Sequence, residues 1–84
     1  MDDLYERATA AVAQIAGVNN RQARRDLLVM LKNVDRALNE MDRESVECRR
    51  LHKSTTRFVE LHKQAEELMV NLEKYLVFAR LMYG

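Results

Sequence analysis

The feature that most constrains the fold is the lack of chain-breaking residues between Gly17 and Gly84, where the sequence contains no glycine and no proline. The residues that dominate the composition are Ala, Leu, Glu, Lys, Arg and Gln, which all have high intrinsic helix propensity. Helix is therefore favoured almost everywhere along the 84 residues. We predict an all-α chain with a single helical domain over 1–84.

A short first helix is predicted over 3–16. Its apolar residues recur at helical spacing at Leu4, Ala8, Ala11, Val12 and Ile15. Gly17 is the residue type that ends helices in the left-handed conformation. Asn19, followed three residues later by Gln22, has the pattern of a capping box. This pattern predicts the start of a second helix near residue 20.

Two apolar seams run along the remainder of the chain. The first seam alternates steps of four and three residues, through Leu27, Leu31, Val34, Leu38 and Met41. The second seam has the same rhythm, through Phe58, Leu61, Ala65, Leu68, Leu72, Tyr75, Ala79 and Met82. This heptad rhythm is typical of one helix that packs lengthwise on another.

The two seams differ in phase, because the second lies one residue earlier than a strict heptad continuation of the first. On one straight helix, at about 100° per residue, the seams would lie roughly 160° apart. A reversal of the chain within Cys48 to Thr56 would let both seams face inward. We therefore predict an antiparallel hairpin with helices over 20–50 and 55–83. The alternative is one helix of about 64 residues, which would be stable only in an intermolecular coiled coil.

The last turns of the third predicted helix are apolar on both sides. On the face opposite the seam lie Val70, Val77 and Leu81, with Phe78 beside them, and Tyr83 completes the set of candidate interface residues. A helix that is apolar on both sides requires neighbours on both sides. Either the first helix covers this second side, or another protein chain does. We interpret these residues as an interface with a protein partner, in a homo-oligomer or in a complex with other proteins.

Residues that could support catalysis or metal binding are sparse. Cys48 and His52 lie four residues apart, and His62 is the third candidate zinc ligand, whereas structural zinc sites use four ligands. A cysteine and histidine nucleophile pair also needs a cleft and an oxyanion site, which a short helical bundle does not offer. We therefore predict a protein that is not an enzyme, with no metal and no cofactor.

The charge pattern indicates a mixed surface, since 14 Lys and Arg residues face 13 Asp and Glu residues for a formal net charge of +1. The basic residues cluster at Arg21, Arg24 and Arg25 and again at Arg49, Arg50, His52, Lys53 and Arg57. In a hairpin these clusters would lie at opposite ends, about 45 Å apart, and would not form one continuous patch. The favoured prediction is a non-enzymatic protein–protein interaction module, such as a small subunit or adaptor. A small nucleic-acid-binding helical protein that uses these Arg and Lys clusters is the alternative.

The cysteine count and the apolar runs bear on the location of the protein. One cysteine, no recognisable export segment and apolar runs far shorter than a membrane span predict an intracellular protein, cytoplasmic or nuclear, without a membrane-spanning helix.

Overall fold

The computed structural model describes the backbone of residues 3–84 and the side chains from Leu4 onward. Residues 1 and 2 of the predicted domain lie outside this range. The chain forms three helices, α1 (Asp3–Ala16), α2 (Arg21–Leu51) and α3 (Thr56–Tyr83), and each helix contacts the other two. The resulting rod measures 48 × 20 × 15 Å. The prediction of an all-α fold, with a short helix packed on a long antiparallel hairpin, is confirmed.

The hairpin reverses at residues 52–55. His52 ends α2 in the left-handed conformation, with φ 53° and ψ 38°, and is the one non-glycine residue in the described part of the chain with positive φ. Thr55 precedes α3 without a side-chain cap, while the Ser54 hydroxyl accepts a hydrogen bond of 3.2 Å from the Thr56 N–H. The turn therefore lies within Cys48 to Thr56, as predicted, although a histidine occupies the position that glycine usually fills.

The connection between α1 and α2 differs from its prediction in two ways. Gly17 does not adopt positive φ, because α1 ends in a tight turn in which Gly17 N–H donates to the Gln14 carbonyl at 3.1 Å. Asn20, and not Asn19, caps α2, and its side-chain oxygen accepts from the Ala23 N–H at 2.9 Å. The Asn19 N–H instead donates to the Tyr83 carbonyl at 3.0 Å. This bond ties the connection to the last residue of α3.

The core runs along the inside of the hairpin and under α1. All five residues of the first predicted seam are buried, namely Leu27, Leu31, Val34, Leu38 and Met41. The buried side chains of α1 are Leu4, Ala8, Ala11 and Ile15, and those of α3 are Leu61, Ala65, Met69, Leu72, Leu76 and Ala79. Among residues 3–84, no helix combines the length and the apolar character needed to cross a membrane.

The buried face of α3 is rotated relative to the predicted second seam. Leu61 and Leu72 are buried, whereas Phe58, Leu68 and Tyr75 are only half-buried at the edge of the core, and Met82 is exposed. In exchange, Met69 and Leu76 are 0% and 3% exposed. The reason is that α3 packs against two helices, so its buried face is centred between α1 and α2 and not on the line facing α2 alone.

Polar pairs fix α1 against both arms of the hairpin. Arg7 donates to both carboxylate oxygens of Glu73, at 2.9 and 2.6 Å, and to Glu66 at 2.8 Å. The Tyr5 hydroxyl donates to Asp42 at 2.6 Å, and burial together with this hydrogen bond raises the pKa of Tyr5 to about 12. These contacts place α1 parallel to α3 and antiparallel to α2. Tyr5 lies near the start of α1 and contacts α2 at Asp42. Beyond this level the hairpin tip therefore consists of α2 and α3 alone.

Candidate interaction surface

The last two turns of α3 carry four large apolar side chains that remain exposed. Val77, Phe78, Leu81 and Met82 are 60%, 53%, 82% and 59% exposed, and we call these four residues the α3 surface. Three of them were predicted as interface residues, while Met82 was predicted to face the hairpin. The other two predicted interface residues, Val70 and Tyr83, are half-buried.

The first helix does not cover the α3 surface. It lies along the flank of α3 that carries Glu66 and Glu73, and farther along Arg80 donates to the Gln14 side chain at 3.4 Å. At about 100° per residue, Leu81 lies about 80° around the helix from Glu73, and Phe78 lies about 140° from it. Only Val77 borders α1, where it lines a shallow depression together with Gln14 and Glu73. A single short helix therefore leaves the outward side of α3 open.

Phe78 is held in place by an aromatic neighbour. Its ring stacks on that of Tyr75, with centroids 6.4 Å apart and planes inclined by 21°. The Tyr75 hydroxyl donates to Asp26 of α2 at 3.3 Å, and burial followed by the charge of Asp26 raises the pKa of this tyrosine. A side chain that is already ordered loses less conformational entropy when a partner binds, so Phe78 is suited to act as an anchor.

The backbone beneath the α3 surface is fixed up to its last residue. The Gly84 N–H donates to the Arg80 carbonyl at 2.9 Å, and the Tyr83 carbonyl accepts from Asn19 at 3.0 Å. Fraying of a helix end normally exposes unpaired carbonyl groups. Here two of the final carbonyls are satisfied within the chain, which holds the helix backbone that carries the apolar side chains.

The predicted basic cluster at the hairpin tip lies beside acidic side chains. At the hairpin tip, Lys53 pairs with Glu44 at 3.2 Å and with Glu47 at 3.5 Å, and Arg50 lies 4.0 Å from Glu47. The hydrogen bond from Lys53 to Glu44 is the main cause of the raised pKa of this lysine. The charge of the cluster at the tip is thus partly neutralised by two acids of α2.

Cys48, which the sequence offers as a candidate nucleophile and zinc ligand, lies where its neutral thiol is favoured. Cys48 is buried, and its thiol donates to the Ser54 carbonyl at 3.4 Å and lies 3.7 Å from a Glu44 oxygen. Burial, followed by the negative charge of Glu44, raises the pKa of Cys48, which disfavours the nucleophilic thiolate. In the part of the chain that the structure describes, no three His, Cys, Asp or Glu residues are grouped closely enough to hold a metal ion.

Comparisons with protein-family models, with curated proteins and with solved structures found no match for this chain.

Proposed function

We propose that the chain is a non-enzymatic protein–protein interaction module, a small subunit or adaptor that assembles when a helix of another chain packs on the α3 surface. The observation that carries this proposal is the exposure of Leu81, at 82%, beside three other large apolar side chains on a helix that buries its opposite face inside the bundle. Apolar residues that are exposed as a group, and not singly, mark interaction sites on proteins of this kind.

The size of the α3 surface predicts a concentration-dependent contact. Full burial of a large aliphatic or aromatic side chain contributes roughly 1.5–3 kcal/mol, and these side chains are already partly buried within their own chain. A contact between two copies buries this surface on both, and the eight partly exposed side chains together contribute on the order of 10 kcal/mol, which exceeds the lower end of the association cost of about 4–15 kcal/mol. The half-buried neighbours Val70 and Tyr83 extend the contact. We therefore expect assembly that shifts with protein concentration in an ordinary dilution series.

Sedimentation velocity over a dilution series, together with circular dichroism, tests the proposal with a second copy of the chain as partner. We expect the wild type to form an oligomer that dissociates on dilution. Leu81→Asp should shift it to the monomer at every concentration, because a carboxylate would be desolvated at the centre of the contact. Helicity should persist, since Leu81 lies outside the core.

The matched control is Val46→Asp, which places the same charge on α2 at a side chain that is 58% exposed and distant from the α3 surface. This variant should sediment like the wild type. A wild type that remains monomeric at all concentrations would contradict self-assembly. An oligomer that survives Leu81→Asp unchanged would show that another surface mediates assembly.

A further inference from the structure

A second surface lies on the outer side of α2, near the start of the helix, and differs from the α3 surface in its charge. Six residues line one shallow depression there, and we call them the basic face: Arg21, Arg24, Arg25, Leu28, Val29 and Lys32. Arg21, Arg25, Leu28 and Lys32 follow one another in steps of four, three and four residues, which places them in one stripe. The stripe is directed away from the core residues Leu27 and Leu31.

The cations of the basic face lack carboxylate partners in the part of the chain that the structure describes. Arg24 donates to the Val18 carbonyl at 2.9 Å, and no carboxylate described from Leu4 onward forms an ion pair with Arg21, Arg25 or Lys32. Asp26 of α2 accepts from Gln22 and from Tyr75 of α3. Asp35 lies three residues after Lys32, at the end of the same stripe, and also lines a depression beside Tyr5 and Val12.

The floor of the basic face is apolar. Leu28 and Val29 are 53% and 56% exposed between the four cations. A phosphate backbone would pair with the cations but would gain little from two branched aliphatic side chains, and the face has no aromatic ring on which a base could stack. A partner that satisfies both features carries carboxylates on either side of an apolar stripe.

The length of the basic face fits a helix as the bound element. From residue 21 to residue 32 the face extends about 16 Å along α2, which equals about three turns of a second helix. An amphipathic helix with leucines along one stripe and acids along both edges would bury Leu28 and Val29 and pair with the flanking cations. Extended peptides lack this arrangement, because their side chains alternate between opposite faces.

We propose that the basic face binds an acidic amphipathic helix of a protein partner. This site is separate from the α3 surface, and its proposal does not depend on assembly through that surface. The cations set the orientation and the association rate through charge complementarity, while the apolar floor slows dissociation.

Fluorescence anisotropy with a synthetic peptide of about five turns tests this proposal. The probe carries leucine along one helical stripe and glutamate on both edges of that stripe. A second peptide has the same composition in scrambled order, so that it has the same charge but no apolar stripe. We expect the first peptide to bind, with an affinity that falls as salt is added, and the scrambled peptide to bind at least tenfold more weakly.

Two variants locate the binding site. Arg25→Glu combined with Lys32→Glu replaces two attractions by two repulsions and should weaken binding by about tenfold or more. Leu28→Ser should weaken binding while the charge stays constant. The matched control combines Arg43→Glu with Arg49→Glu, which changes the net charge equally at exposed positions near the hairpin tip and should leave binding within about twofold. Circular dichroism verifies that all variants keep the helical fold.

Several results would overturn the proposal. These are the absence of measurable binding by the amphipathic peptide, equal binding of the scrambled peptide, and equal weakening by the control variant. Competition by duplex DNA, or by vesicles that contain phosphatidylserine, at lower concentrations than the peptide would assign the basic face to phosphate recognition instead.

Discussion

The ion-pair cluster of Arg7 with Glu66 and Glu73 gives the sharpest test of how α1 is held on the hairpin. Arg7 lies on α1, both glutamates lie on α3, and the three N to O distances are 2.9, 2.8 and 2.6 Å. Two parallel hydrogen bonds from one guanidinium to one carboxylate are a strong and directional contact. Substitution of Arg7 by methionine removes these bonds and retains most of the apolar stem.

The magnitude follows from the exposure of the three side chains. Hydrogen bonds to charged groups contribute about 1.5–3 kcal/mol when buried, and exposed ion pairs contribute about 0–1 kcal/mol. The Arg7 side chain is 22% exposed, while those of Glu66 and Glu73 are 41% and 39% exposed, so solvent screens a large part of the attraction. We expect Arg7→Met to lower the free energy of unfolding by about 1.5 kcal/mol, which corresponds to a decrease in Tm of roughly 6–12 °C for a domain of this size.

The effect should also depend on pH. The hydrogen bonds from Arg7 lower the pKa of Glu73 below its ordinary value. The unfolded chain thus binds a proton at higher pH than the folded chain, so this contribution is fully present above the unfolded pKa of about 4.3 and is lost as the pH falls through the folded value. The stability difference between the wild type and Arg7→Met should therefore decrease below about pH 4.

Urea unfolding of the wild type, Arg7→Met, Glu73→Gln and the double variant gives the coupling energy between the two side chains. Arg80→Met serves as control, because Arg80 is exposed and its 3.4 Å contact with the Gln14 side chain involves no carboxylate. We expect this control to change stability by less than about 0.5 kcal/mol. A coupling energy near zero, or an effect of Arg7→Met that is the same at pH 7 and at pH 3, would refute the reasoning.

Two further predictions concern the turn and the core. His52→Gly should stabilise the fold by about 0.5 kcal/mol in urea unfolding, because relief of the left-handed strain, about 1 kcal/mol, exceeds the added entropy of the unfolded chain. His52→Val should instead destabilise the fold. Equal losses of stability in both variants would contradict this account. Met69→Ala should lower the free energy of unfolding by about 2–5 kcal/mol through the cavity it leaves, while Val59→Ala on the exposed side of the same helix should cost less than about 0.5 kcal/mol. Similar costs at the two positions would show that Met69 does not lie in the core.

The seam of α2 could be predicted from the sequence because its heptad line of apolar residues indicates a single buried face. Every residue from Leu27 to Met41 in that seam is buried. The seam of α3 was ambiguous, since its last turns are apolar all round and several stripes fit the same heptad rhythm. Only the position of α1 selects Met69 and Leu76 as core and leaves Phe78 and Met82 outside.

The contacts that position α1 could not be predicted from spacing along the chain. Arg7 lies 59 and 66 residues from its partners, so the pairing depends on α1 being parallel to α3. The end of α2 at His52 was predicted to within a few residues from the phase of the seams, but its left-handed conformation has no signal in the residue type. Gly17 shows the converse, because its residue type indicated a left-handed turn that the chain does not form.

Because α1 is short, one half of the rod contains three helices and the other half contains only two. The α3 surface and the basic face both belong to the half where α1 completes the bundle, since residues 21–32 begin one arm of the hairpin and residues 77–82 end the other. The rod is 20 × 15 Å across, so two proteins held on these faces would be brought nearly into contact with each other around a single molecule. The tip, which projects about 14 Å past Asp42, would remain clear of both. Such a molecule would hold two proteins side by side and leave its hairpin tip free to contact a third.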